Sequence, residues 1–330
     1  MSQDAILLEV RGLSVTFPGR LGPVQAATNV SFDLRSGEIL GIVGESGSGK
    51  SVTVRAILRL VPPPGRIASG EVLFDGRDLL SLNAKEMIRV RGCQIGMVFQ
   101  NALNALNPVR TIGDQLVEVL RVKRQASASE ATESAIELLH QVGISPPRQR
   151  MKSYPHHLSG GMRQRVMIAL AIAGRPLIMI GDEPTTALDV TVQLQILTLL
   201  ARLQRELKMS IILVSHDLDV VQEVCDRLVV MYAGHILECG ATEEVLSHPR
   251  HPYTEALLRS VPKISESAGR GRFQTIGGQP PELDQLPPGC PFQPRCRYAR
   301  NICDEAPMTL DRPISRHGTA CVVEWSGNAG

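Results

Sequence analysis

No stretch of these 330 residues approaches the roughly 18 consecutive apolar positions that a membrane-spanning helix needs. Aromatic residues make up only 3% of the chain, too few rings for a base-stacking nucleic-acid surface. An excess of one charge is missing as well: a formal net charge of +2 gives no field that would gather a polyanion, so no nucleic-acid partner is expected. The opening Met1-Ser2-Gln3-Asp4-Ala5 has neither a basic n-region nor an apolar h-region, and the chain is expected to remain in the cytoplasm. Tight C-x₂₋₄-C pairs are absent too. What is present suffices for a packed core: 43% hydrophobic and 21% charged residues argue against global disorder. The length fits one large domain with an appendage, or two modest domains.

Alternating apolar positions predict half-buried antiparallel strands over Leu7–Val15 and Val30–Leu34, with further strands at Val72–Phe74 and Ile95–Phe99. The apolar run Leu40–Val43 breaks into glycine-rich sequence and then a helical stretch to Leu60, stopped by Pro62, Pro63 and Pro64. Residues 101–173 turn helical, with Ser129–Val142 clearly amphipathic. Strand and helix then alternate through Leu177–Ile180, Val190–Leu207, Ile211–Val214 and Asp217–Val224, the pattern of a parallel sheet with covering helices. Pro262–Pro288, rich in Ser, Gly and Pro, is expected to be a linker.

Gly44-Glu45-Ser46-Gly47-Ser48-Gly49-Lys50-Ser51 fits the phosphate-loop pattern G-x-x-x-x-G-K-[ST], between a strand and a helix. Glycines let successive backbone N–H groups face phosphate oxygens, and the helix N-terminus adds its dipole. Lys50 is expected to reach the outer phosphates and Ser51 to ligate Mg²⁺. Leu177–Ile180 leads into Gly181-Asp182-Glu183, two carboxylates at a strand end: Asp182 for Mg²⁺ through water, Glu183 to polarise an attacking water. Ser159-Gly160-Gly161 opens a predicted helix over Met162–Ala173 and offers a second anion site, although such a motif also serves as a plain helix cap.

In this order and spacing the motifs resemble the nucleotide-binding subunit of an ABC transporter, over about Leu7–Leu258. The resemblance implies an α/β P-loop NTPase fold with a mixed-sheet core, an antiparallel β subdomain and a helical subdomain at about 101–173, all within residues 1–258. It makes Leu158–Met162 (with Ser159, Gly160, Gly161 and Met162) the signature that completes the partner's ATP site. By the same resemblance Gln100 is the Mg²⁺-sensing Q-loop glutamine, Asp189 the D-loop aspartate and His216 the switch histidine, and Phe17 stacks on adenine. Gln and His at strand ends also occur as mere polar punctuation, and Phe17 also suits a core position. His157 stands where Glu or Gln often precedes the signature, and Gly181 where Ala is frequent.

His251-Pro252-Tyr253-Thr254-Glu255-Ala256-Leu257-Leu258 is similar to the start of the C-terminal extension of oligopeptide and dipeptide importer ATPases, here residues 259–330. Tyr154-Pro155-His156 and Asp182 through Thr191 resemble the same group. An ATPase energising import of di- or oligopeptides is implied, with nickel, opines or modified peptides as other cargoes. A soluble ABC ATPase of translation or DNA repair fits less well, because such chains carry paired cassettes or long inserts. The implied partners are two permease subunits, a second related ATPase in a heterodimer, and a periplasmic or extracellular binding protein, at the cytoplasmic face of the membrane. Of seven cysteines, Cys93, Cys225 and Cys239 are scattered, whereas Cys290, Cys296, Cys303 and Cys321 cluster in C-x₅-C-x₆-C-x₁₇-C spacing. In a reducing compartment such a cluster reads as metal ligands before disulfides. Related ATPases imply a [4Fe–4S] cluster, with zinc, disulfides or free thiols as alternatives.

Overall fold

The computed structural model describes residues 5–20, 22–100, 105–186, 188–260, 276–312 and 316–323. Two compact units divide them, one from Ser36–Glu38 and Ser81–Val214, the other from Ala5–Arg35, Ile39–Leu80 and Ser215 onward.

The discontinuous unit opens with β1 (Ile6–Pro18) and β2 (Pro23–Arg35), then β3 (Ile39–Val43), α1 (Lys50–Ile57), β4 (Arg66–Phe74) and β5 (Arg77–Asp78). Strands β2, β1, β4 and β5 form an antiparallel sheet in that order. Leu8, Val10, Leu13 and Val15 of β1 turn inward, and Val10 stands opposite Phe32 of β2 and Val72 of β4. The period-two alternation in the sequence therefore marks one buried face. By contrast, all five residues of β3 are buried, as expected of a strand covered on both sides.

The second unit holds α2 (Ala84–Cys93), β6 (Ile95–Val98), α3 (Ile112–Arg124), α4 (Ala128–Gln141), α5 (Gly160–Ile172), β7 (Ile178–Asp182), α6 (Val190–Leu207) and β8 (Ser210–Ser215), whose last residue belongs to the other unit. Strands β6, β7 and β8 run parallel, with Met97 beside Ile180 and Ile180 beside Ile212. Helix starts follow local chemistry: Ser127 and Glu130 form a capping box on α4, and the Thr111 hydroxyl caps α3. Ile196, Leu197, Leu199, Leu200 and Leu203 make the buried stripe of α6, at helical spacing.

The chain then returns to the first unit through α7 (Leu218–Val224), β9 (Arg227–Tyr232), β10 (His235–Ala241), α8 (Thr242–Ser247), α9 (Pro252–Ser260) and β11 (Gly318–Thr319). β9 lies parallel to β3 and antiparallel to β10, which also pairs with β11, so this sheet is mixed. The Arg227 guanidinium donates to both oxygens of Asp33, at 3.0 and 3.2 Å, tying β9 to β2. Residues 262–275 of the expected linker lie outside the described residues, and among the described residues no helix is long and apolar enough to cross a membrane.

The start of α9 is organised by a carboxylate. Glu238, fully buried in β10, accepts from the backbone N–H groups of Arg250 (2.6 Å) and His251 (2.9 Å) and contacts His317 Nε2 at 2.6 Å. A negative group at a helix N-terminus satisfies donors the helix cannot. His251 Nδ1 in turn accepts from Tyr253 N at 3.0 Å, so the buried ring is held neutral, and burial lowers its pKa to about 3. An unfolded histidine titrates near about 6.5, so the unfolded chain takes up the proton first. This contribution to stability is complete above about pH 6.5 and is lost as the pH falls toward about 3. Thermal melts between about pH 7 and pH 4.5 should show a falling midpoint, with a shallower fall for His251→Gln. Identical slopes for the two proteins would remove His251 as a source of the decline.

Candidate functional site

The phosphate loop joins β3 to α1. Its glycines are needed for shape: Gly44 has φ of 150°, and a Cβ there would stand 2.1 Å from the Met231 carbonyl oxygen. Gly47 has φ of 79°, where other residues are strained. Helix α1 begins at Lys50 behind Gly49 with no side-chain cap, so its first N–H groups keep their capacity for an anion. The Lys50 side chain is 3% exposed. Its ammonium donates to the carbonyls of Gly44 and Glu45, both at 2.8 Å, and to Ser48 Oγ at 3.3 Å. A backbone cradle that a single Cβ would fill, with a buried cation at its base, fits a chain of phosphates.

Two further predicted residues belong to this unit. His216 is exposed immediately after β8, and the Asp217 carboxylate caps α7 behind it. Phe17, half-buried near the end of β1, lies against Gly65: a Cβ at Gly65 would stand 2.5 Å from the ring.

In the other unit the acidic strand end is built as a strained, doubly held carboxylate. Asp182 is fully buried at the end of β7. Glu183 follows with φ of +50°, a left-handed conformation that costs a glutamate energy and persists only where its surroundings hold it. Those surroundings are the Val214 carbonyl, accepting from Glu183 N at 3.1 Å, and two side chains. Gln100 Nε2 and Thr186 Oγ1 each donate to Glu183 Oε2 at 2.9 Å. The structure thus brings Gln100 to Glu183 directly. Thr186 is an added partner that the motif reading passed over, although its place three residues after the carboxylate is a signal for local hydrogen bonding.

Ser159 caps α5, its hydroxyl accepting from Met162 N at 3.3 Å. The helix therefore begins at Gly160, two residues before the expected Met162. Gly161 leaves room for α6: a Cβ there would meet Val192 at 2.6 Å. Asp189 caps α6 through Val192 N at 2.9 Å, while Ala187, inside the D-loop stretch, lies outside the described residues. His157 Nδ1 accepts from Tyr154 N at 3.3 Å, which orders the turn ahead of the signature. Gly181 packs under Pro184, where a Cβ would stand 3.2 Å from the ring.

The iron–sulfur expectation is corrected. Cys290, Cys296, Cys303 and Cys321 do come together, but around a cavity of about 20 Å³. That is space for about one water, not for a four-iron cube. Burial pushes the Cys290 thiol up to about 12 and also raises those of Cys296 and Cys321, with the neighbouring cysteines acting in the same direction. All four are free, and among the described residues no group of three or more His, Cys, Asp or Glu is arranged to hold a metal. The four thiols line a small space within the extension.

Comparison with known proteins gives the family. Residues 27–186 match the family described as ABC transporter, and residues 237–303 match the oligopeptide/dipeptide transporter C-terminal region. The oligopeptide transport ATP-binding protein OppD of Salmonella typhimurium is 50% identical over 302 residues, 92% of this chain and 89% of the relative. The dipeptide transport ATP-binding protein DppD of Bacillus subtilis is 48% identical over 299 residues, 90% of this chain and 89% of the relative. Among solved structures, the dimeric ATP-binding cassette MJ0796 in a post-hydrolysis state with ADP and Pi superposes with a TM-score of 0.63 at 30% identity, covering 69% of this chain and 96% of that one. The cbiO1 cassette of Clostridium perfringens gives 0.63 at 28%, covering 73% and 91%. This chain belongs to the ABC transporter family and is an ATP-hydrolysing cassette of its oligopeptide and dipeptide transport branch.

Proposed function

We propose that the chain hydrolyses ATP to drive import of short peptides by a membrane complex, working on the cytoplasmic face with two permease subunits, a related second ATPase and a peptide-binding protein. The observation carrying this reading is the match of residues 237–303 to the peptide-transporter C-terminal region, on a chain whose phosphate loop is intact. Lys50 and the N–H groups at the start of α1 bind the triphosphate, and Phe17 lies against adenine. Ser51, Asp182 and Gln100 would hold Mg²⁺, which neutralises phosphate charge when bound. Glu183 orients a water in line and takes its proton as oxygen attacks the terminal phosphorus; the bond to the bridging oxygen breaks and ADP leaves. His216 steadies the transferred phosphoryl group. Ser159, Gly160, Gly161 and Met162 serve the second ATPase's nucleotide, and Asp189 anchors the helix that follows. Residues 1–258 form the cassette in this reading, with 259–330 as its extension.

The test is ATPase activity of the complex reconstituted in vesicles. Peptide-loaded binding protein is expected to stimulate it several-fold, as coupling through a conformational step requires. Equal rates with empty and loaded binding protein, or stimulation by nickel instead, would reject the peptide assignment.

A further inference from the structure

Glu45 follows the first glycine of the phosphate loop, yet its side chain is held by a residue 250 positions away. Arg295 ends the short 3₁₀ turn Gln293–Arg295. Its Nη1 donates to Glu45 Oε2 at 2.6 Å and its Nη2 to Oε1 at 3.0 Å, a bidentate pair. The remaining donors are also matched: Nη1 to Tyr232 Oη at 3.1 Å, Nη2 to Ile276 O at 3.4 Å and Nε to Gly277 O at 2.9 Å. The Arg295 side chain is 4% exposed, against 24% for Glu45.

Other contacts bind the same loop residue to the same region. Tyr253 Oη accepts from Glu45 N at 2.8 Å, and the Tyr232, Tyr253 and Phe292 rings pack with centroids 4.6 to 5.4 Å apart beneath the guanidinium. The Glu45 carbonyl accepts from Lys50. Amide, carboxylate and carbonyl of one loop residue are therefore each committed, two of them to residues beyond the nucleotide motifs.

We propose that Arg295 is a positioning residue for ATP binding: it fixes the phosphate loop through Glu45 and cancels the carboxylate that a triphosphate would otherwise meet beside the loop. A guanidinium fork does both, because its geometry sets direction while its charge compensates. An ammonium supplies the charge without the fork. The extension thus sets nucleotide affinity, and turnover stays with Glu183.

The full chain carries the test, with ATP titrated by calorimetry and steady-state rates measured in parallel. Arg295→Met is expected to weaken ATP binding about tenfold and to raise KM alike, with kcat within about twofold, the scale of one lost charge-assisted contact. Arg295→Lys should recover part of the affinity. Arg295→Met combined with Glu45→Gln should bind ATP more tightly than Arg295→Met but more weakly than wild type, because the uncompensated carboxylate is gone while the fork that fixes the loop is still missing. Wild-type affinity in Arg295→Met overturns the proposal, and so does a double variant no tighter than the single one. Should Arg295→Met melt below the assay temperature, the lysine variant decides: affinity unchanged with the fork removed overturns positioning.

Discussion

Glu183→Gln is expected to retain ATP binding while lowering steady-state turnover by at least about 100-fold, the contribution of a positioned general base. The substitution keeps volume and the acceptor oxygen that Gln100 and Thr186 address at 2.9 Å, so the strained turn after β7 survives. What disappears is the capacity to take a proton from water. With hydrolysis blocked, nucleotide should accumulate in a closed pair of cassettes, visible as a larger particle in size-exclusion chromatography with ATP but not with ADP. A variant hydrolysing ATP at near wild-type rate would remove Glu183 from the chemistry and leave its backbone strain without a purpose.

Lys50→Met should act at the earlier step. The ammonium sits at the base of the loop, 2.8 Å from each of two carbonyl oxygens and 3% exposed, where a triphosphate offers it better partners. Methionine matches the stem but carries no charge, so ATP affinity should drop by at least about 100-fold, the worth of charge-assisted contacts in a partly dry site. The melting midpoint should fall as well, because the Gly44 and Glu45 carbonyls lose a donor; each such loss costs about 1–3 kcal/mol. Calorimetric titration with ATP separates the two variants: Glu183→Gln binds, Lys50→Met does not. Retained binding in Lys50→Met would contradict the assignment of the loop as the phosphate site.

The nucleotide motifs were legible because their chemistry is local. A phosphate loop needs adjacent glycines, and Ser159 and Asp189 cap helices three residues away. Helix α6 was readable over Val190–Leu207 because its apolar stripe keeps one period for 18 residues. Strands β9 and β10 carry no alternation that would mark them in the sequence. Leu228-Val229-Val230-Met231 is a uniformly buried run without alternation, and its hairpin turns through Ala233 and Gly234 at φ of 47° and 82°, not through Asn-Gly or Asp-Gly. The grip of Arg295 on Glu45 had no sequence signal at all, since no periodicity links residues 250 apart. The four cysteines mislead for a related reason: spacing reports that thiols are close in the chain, whereas the size of the space they line decides what they can hold.

Strand β11 is only two residues long, yet Glu238 and Cys239 of β10 face Thr319 and Gly318 across it, and Ala320 N donates to Leu237 O at 2.8 Å. Without that cover, β10 would present a row of open N–H and C=O groups, the template on which unrelated chains join edge to edge. Thr319 also donates to Asp311, which is held by Arg250, so the cover is latched from both ends. The tail therefore bears on solubility: it turns an adhesive border of the sheet into a closed one.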